Sequence, residues 1–149
     1  MDNTQEEKSN YKILLVDDEP DIVDLIKYNL EKEGYVVSTA SNGVECLSVA
    51  KSFSPDLILL DVMMPEMDGI ETCMQVREDK ELKNTLVALL TARSEDYSQI
   101  AGFESGADDY ITKPIKPRVL VSRIKALLRR KEVKNTTEKV SDELSIDLE

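Results

Sequence analysis

Three short runs of the chain are apolar at every position: Ile13-Leu14-Leu15-Val16, Leu57-Ile58-Leu59-Leu60 and Leu86-Val87-Ala88-Leu89-Leu90. Unbroken runs of four or five apolar residues suit strands covered on both faces, as in a parallel sheet between layers of helix. A weaker alternating stretch from Tyr35 to Ala40 and a short one at Asp109-Tyr110-Ile111 bring the candidate strands to five. Helical spacing fills the intervals. Ile22, Leu25, Ile26 and Leu30 predict a first helix, with Pro20 near its start and Gly34 as its stop signal. Val44, Leu47 and Ala50 predict a second, and Ile70, Cys73, Met74 and Arg77 a third. A fourth, from about Asp96 to Ser105, shows only a thin apolar face (Tyr97, Ile100, Ala101). The fifth, with Leu120, Val121, Ile124, Leu127 and Leu128, is the clearest.

Strict alternation of strand and helix implies right-handed crossovers and helices on both faces of one parallel sheet. The expected fold is α/β, a doubly wound (βα)5 flavodoxin-like sheet with strand order 2-1-3-4-5. In that order strands one and three meet where the winding reverses, and ligands bind beyond the strand ends at this point. The expected organisation is a polar extension over residues 1–10, one domain over 11–130, and a third segment over 131–149. In that segment Lys131 to Ser141 is polar without period and reads as a linker. Glu143 to Leu148 alternates like the first strand of a further unit.

Composition narrows the function. With 41% hydrophobic and 33% charged residues the 149-residue chain is neither disordered nor membrane-spanning in type. Its start is acidic and polar, unlike a secretory signal, so the cytoplasm is the expected address and no membrane partner is expected. A net charge of −11 opposes contact with a phosphate backbone. Cys46 and Cys73 lack paired spacing and are expected to be reduced packing residues. Histidine is absent, which excludes a Ser-His-Asp triad, a histidine-ligated metal and an internal phosphohistidine.

The residues at the predicted strand ends carry the chemistry. Strand one runs into Asp17-Asp18, strand three ends on Asp61, strand four ends on Thr91, and Lys113-Pro114 follows strand five. Each alone has an ordinary structural explanation: acidic pairs cap helices, Met63 to Gly69 reads as turn chemistry, and lysines are commonly solvated. Together they place three carboxylates, a hydroxyl and an ammonium at one switch point. Two carboxylates ~4 Å apart repel by about 4 kcal/mol at an effective dielectric of ~20, so three call for a cation. Oxygen donors without His or paired Cys indicate a hard ion, and Mg²⁺ suits such a site. A metal that shields an attacking carboxylate, with a lysine opposite, makes a phosphoryl-transfer site.

Val16-Asp17-Asp18-Glu19-Pro20, Leu60-Asp61-Val62-Met63-Met64-Pro65-Glu66-Met67-Asp68-Gly69, Leu90-Thr91-Ala92 and Gly106-Ala107-Asp108-Asp109-Tyr110-Ile111-Thr112-Lys113-Pro114 together resemble the receiver domains of two-component response regulators, over about Tyr11 to Arg130. Asp108-Asp109-Tyr110, with Arg123 and Arg129-Arg130, looks like the OmpR/PhoB subfamily. Its members normally add a winged-helix DNA-binding domain, so residues 143–149 resemble that domain's first strand, cut off, and DNA contact would come only through the missing domain. The resemblance implies that Asp61 takes a phosphoryl group from a sensor histidine kinase. It implies that Asp17, Asp18, Asp61 and the Met63 carbonyl hold Mg²⁺, Asp18 directly and Asp17 mainly through water, and that Lys113 pairs with a phosphoryl oxygen. The bond before Pro114 is cis in the family. Thr91 and Tyr110 would form the switch, the hydroxyl moving to the phosphoryl group and the ring turning inward. On phosphorylation a symmetric homodimer would form, tied by Asp109 with Arg123 and Asp108 with Arg130. The family's third pair is absent here, its positions holding Gln99 and Val119. The protein would thus be a signalling domain rather than an enzyme, assisting its own phosphorylation and dephosphorylation.

Three rival readings are weaker. An aspartyl-phosphate phosphatase of the haloacid-dehalogenase type needs a second acid where Met63 stands. A degenerate receiver used only for protein binding would have lost an acid or the lysine. A single-domain phosphotransfer shuttle remains the alternative, against the linker and the strand read at the end.

Overall fold

The computed structural model describes residues 11–64, 66–92 and 106–147, with side chains given as far as Glu132. Five parallel strands, β1 (Lys12–Val16), β2 (Val36–Ala40), β3 (Leu57–Asp61), β4 (Leu86–Thr91) and β5 (Asp109–Thr112), form one sheet in the order β2-β1-β3-β4-β5. The helices are α1 (Pro20–Lys32), α2 (Gly43–Phe53), α3 (Gly69–Glu78) and α4 (Pro117–Asp147). This is the doubly wound flavodoxin-like arrangement expected from the sequence. The predicted fourth helix, from about Asp96 to Ser105, and the extension over residues 1–10 lie outside the described residues.

The apolar runs read as they do because side chains alternate across the sheet and both faces are covered. Ile13, Leu15, Leu57, Leu59, Ala88, Leu90 and Ile111 face Ile26 and Leu30 of α1 and Leu120, Ile124, Leu127 and Leu128 of α4. Leu14, Val16, Ile58, Leu60, Val87 and Leu89 face Cys46 and Ala50 of α2 and Cys73 and Val76 of α3. Every residue of β3 and β4 is buried. Fully burying one such Leu or Ile contributes about 1.5–3 kcal/mol, which holds the register that aligns the strand ends. The two cysteines are free and buried, as expected, and burial pushes the Cys46 thiol up to about 12, with Cys73 adding to it.

The helix limits follow local chemistry. Pro20 stands in the first turn of α1, and Gly34, at φ 97°, turns the chain into β2. Asn42 and Asp68 cap α2 and α3, accepting the amides of Glu45 and Glu71. Helical spacing named some residues that do not face the core: Leu25, Val44 and Met74 are exposed. Apolar residues at the edge of a helical stripe still satisfy the spacing when a near neighbour in the same turn does the packing, as Ile26, Cys46 and Cys73 do here.

One expectation fails outright. The backbone is helical from Pro117 to Asp147, so there is neither a break at Lys131 nor a strand from Glu143. No Gly or Pro occurs after Pro117, and extending an existing helix fixes one residue per added hydrogen bond. The residues just past the domain edge are also tied down. Lys131 pairs with Asp56 at 2.8 Å, and the Tyr11 hydroxyl donates to Glu132. Among the described residues, no helix is long and apolar enough to cross a membrane.

Candidate phosphoryl-acceptor site

The site lies past the carboxyl ends of β1, β3, β4 and β5. The Asp17 amide continues the sheet bonding into the loop by donating to the Ala40 carbonyl (3.2 Å), which holds its side chain at the strand end. Asp17 is 2% exposed, its Oδ1 accepts the Glu19 amide at 2.9 Å, and its buried Oδ2 has no hydrogen-bond partner. Asp61, also 2% exposed, closes β3, and its Oδ1 accepts the Met63 amide at 3.3 Å and the Lys113 ammonium at 3.1 Å. The Lys113 amide donates to the Thr91 carbonyl (2.6 Å), fixing the end of β5 against that of β4, and the Lys113–Pro114 bond is cis as expected. Thr91 is 1% exposed at the end of β4.

Lys113 serves three carboxylates at once. Its ammonium lies 3.1 Å from Asp61 Oδ1, 3.6 Å from Asp17 Oδ2 and 3.7 Å from Glu19 Oε1. Burial pushes the Asp61 carboxyl up to about 6, helped by the Asp17 charge, while Lys113 and the Met63 amide hold it back. Burial pulls the Lys113 ammonium down, but Asp61, Asp17 and Glu19 outweigh it and the net displacement is upward. One oxygen from each of Asp17, Asp18, Glu19 and Asp61 falls within 4.8 Å of the others. An all-oxygen set with one buried carboxylate oxygen that makes no hydrogen bond fits a hard divalent cation, which would take up the charge that one lysine leaves uncompensated.

Of the residues singled out from the sequence, Asp17, Asp18, Asp61 and Lys113 meet at this one place. Met63 contributes its amide to Asp61, and its side chain is exposed. Tyr110 is buried, in the core cluster that also holds Cys73 and Val76 of α3. Asp109 and Arg123 pair within the chain, Nη1 lying 2.7 and 3.0 Å from the two carboxylate oxygens. The Asp108–Arg130 pair is expected between two copies, and within one chain Asp108 is held otherwise. Its Oδ2 takes the Arg77 guanidinium at 2.8 Å and the Val87 amide at 2.9 Å, whereas Arg130 is exposed without an ion partner among the described residues. Gln99 lies outside the described residues, and Val119 is exposed.

Sequence reasoning missed three contributors. Glu19 was visible only as a third acid in a row. Arg77 was read as one more position on the third helix, yet it donates to Gly106 O (2.8 Å), Thr85 O (2.6 Å), Lys83 O (3.1 Å) and Asp108, joining α3 to the entry of β5. Gly69 lets the first turn of α3 close on the Asp61 backbone. Size does not mark the site: a groove of about 1260 Å³ lies at the opposite end of the sheet, among Asp56, Leu86, Gly106 and Arg129.

The profile of the response regulator receiver domain matches residues 13–125. The chain belongs to that family. It is a receiver domain of two-component signalling, and its role is that of a phosphoryl acceptor. Over 124 residues this receiver is 53% identical to the alkaline phosphatase synthesis transcriptional regulatory protein PhoP of Bacillus subtilis, covering 83% of this chain and 51% of that protein. Over 130 residues it is 49% identical to the transcriptional regulatory protein ResD of the same organism, covering 87% and 51%. These are regulators of the OmpR/PhoB branch, and the chain spans about half the length of the curated relatives it matches. Among solved structures, the CheY-like receiver domain protein of Methanospirillum hungatei superposes with a TM-score of 0.78 at 31% identity, covering 83% of this chain and 98% of that one. The BeF3-activated DrrB receiver domain does so at 0.71 and 38% identity, covering 80% and 97%.

Proposed function

We propose that Asp61 is the phosphoryl acceptor and that its donor is the phosphohistidine of a sensor histidine kinase. An Asp61 carboxylate oxygen forms a bond to phosphorus as the phosphorus–nitrogen bond breaks, and the imidazole leaves and takes up a proton. The observation that carries this reading is a buried carboxylate bonded to the Lys113 ammonium beside a second buried carboxylate, Asp17, whose Oδ2 makes no hydrogen bond and lies 3.6 Å from the same ammonium. Asp61 is a fixed nucleophile, with one oxygen bonded to Lys113 and the Met63 amide. Lys113 neutralises charge on the transferred group without a proton transfer. Asp17, Asp18, Asp61 and the Met63 carbonyl are the groups that would hold Mg²⁺, which when bound offsets the charge of the carboxylates and of the phosphoryl oxygens.

Thr91 and Tyr110 form the switch in this reading, Thr91 offering its hydroxyl to the phosphoryl group from the end of β4. The domain acts in the cytoplasm and assists its own phosphorylation and dephosphorylation. We place the receiver unit at residues 11–130, with residues 1–10 as a polar extension. The segment from residue 131 connects it to a DNA-binding unit through which the whole protein controls transcription. On phosphorylation two copies join symmetrically through Asp109 and Arg123. A contribution from Asp108 and Arg130 requires Asp108 to share its carboxylate with Arg77, which lowers the value of that second pair.

Incubation with acetyl phosphate and Mg²⁺, read by intact mass, tests the proposal. One phosphoryl group per chain, not formed when a chelator is present from the start, is the expected result. No adduct with the cation present would refute it.

A further inference from the structure

Glu19 occupies the N-cap position of α1, yet its side chain makes no cap bond, unlike Asn42 and Asp68 at the starts of α2 and α3. Its amide is bonded to Asp17 Oδ1, which fixes the backbone beside the site. Its carboxylate turns to Lys113, 3.7 Å from the ammonium, with the side chain 59% exposed. Asp17 and Asp61, the other partners of that ammonium, are buried, with side chains 0% and 3% exposed. One cation therefore faces two fixed carboxylates from below and one solvated carboxylate at the mouth.

We propose that Glu19 is a positioning residue for Lys113 that competes with a phosphoryl group on Asp61 for the same ammonium, and so sets how tightly the phosphorylated state is held. This rests on Asp61 being the acceptor. A phosphoryl group brings close to two negative charges and three acceptor oxygens to a point beside Lys113. For Lys113 to pair with it fully, the Glu19 contact must loosen, and Glu19 is then left as a like charge facing the new group. Both effects weaken the phosphorylated state relative to the free one. The Glu19–Lys113 pair is long and mostly solvated, so its influence is that of an exposed ion pair, about two- to fivefold on an equilibrium constant. The influence is graded, and a substitution at this one position would alter the hold without removing an acceptor or a buried acid.

Beryllofluoride with saturating Mg²⁺, titrated into the full chain and followed by amide NMR, tests this in wild type and Glu19→Gln. Glu19→Gln, which keeps the shape and removes the charge, is expected to bind the analogue about two- to fivefold more tightly. The gain should shrink clearly in a Lys113→Met background, leaving only the direct repulsion, because the competition runs through the ammonium. Unchanged or weaker binding in Glu19→Gln overturns the proposal, as does an equal gain with and without Lys113, which would be bare repulsion. Mg²⁺ titrated alone gives the remaining arm: a loss of affinity of about tenfold in Glu19→Gln would make Glu19 a metal ligand and also overturn it. A wild-type chain that takes up no beryllofluoride would instead remove the assignment of Asp61, and this proposal with it.

Discussion

Gly69 packs its bare Cα against the carbonyl of Asp61: a Cβ at that position would lie 2.3 Å from the Asp61 oxygen and 2.9 Å from Val62 Cα. The Gly69 amide also donates to the Val62 carbonyl at 2.9 Å, so the start of α3 is laid directly on the backbone that presents Asp61. The opposing atoms belong to main chain and cannot rotate away. Gly69→Ala is therefore expected to destabilise the domain by about 1–3 kcal/mol, the usual range for overpacking, and to slow phosphoryl uptake by displacing Asp61. Denaturant unfolding and the rate of reaction with acetyl phosphate check both. An alanine variant with wild-type stability and rate would show that the contact relaxes freely.

The Asp61 carboxylate is itself a destabilising charge. Its folded value of about 6 lies above the ordinary 3.8, so the stability it contributes is complete below pH 3.8 and is lost as pH rises through 6. At about 1.4 kcal/mol per pH unit, the rise from 3.8 to about 6 corresponds to about 3 kcal/mol at pH 8. Without divalent cation, Asp61→Asn should gain up to about 3 kcal/mol over wild type at pH 8 and almost nothing near pH 4. Mg²⁺ should close much of the gap by stabilising the wild type alone. Equal unfolding midpoints at pH 8 in the presence of chelator would contradict this account of the site.

Arg77 holds the entry to β5, the strand that carries Tyr110 and leads to Lys113. Its guanidinium reaches three carbonyls and the Asp108 carboxylate with both side chains about one quarter exposed. Arg77→Met is expected to cost about 2–3 kcal/mol, the scale of hydrogen bonds to a charged group left unmade. Arg77→Lys should recover little, because a single ammonium cannot span the four acceptors. Thermal unfolding of the two variants checks this, and a lysine variant as stable as wild type would show that charge alone suffices.

How much of this was legible beforehand depends on how local the signal is. The strands, their order and the meeting of Asp17, Asp18, Asp61 and Lys113 follow from apolar runs and strand ends, because burial and right-handed crossovers leave few alternatives. The role of Arg77 was hidden, since helical spacing says which face a residue lies on and nothing about a carbonyl eight residues away. Gly69 was hidden in a turn whose other residues explain themselves. Residues 131–147 are helical where an irregular linker and a strand were expected, because a polar stretch without period is equally compatible with a linker and with a helix that is merely never told to stop. The contact of Asp108 with Arg77 within the chain was hidden for a related reason: a spacing shared with relatives names candidate pairs and says nothing of the groups that compete for them.

The interface proposal makes its own demand. Asp109 and Arg123 pair within one chain, 2.7 Å apart, with the arginine side chain 49% exposed. If activation exchanges this contact for one between copies, beryllofluoride should bring the chain to a dimer at about 100 µM, a dissociation constant worth only about 5.5 kcal/mol. The dimer should weaken modestly with added salt. Sedimentation of wild type and Arg123→Glu decides it. A monomer under every condition, or a dimer unaffected by the charge reversal, would remove Arg123 from the interface.

The most direct test of the central claim is to locate the phosphoryl group. After reaction with acetyl phosphate and Mg²⁺, borohydride reduction converts an acyl phosphate to homoserine, and peptide mass spectrometry reads its position. The account predicts a single reduced residue at Asp61, and none in Asp61→Asn. Reduction at Asp17 or Asp18 in the wild type, or an undiminished adduct in Asp61→Asn, would contradict it.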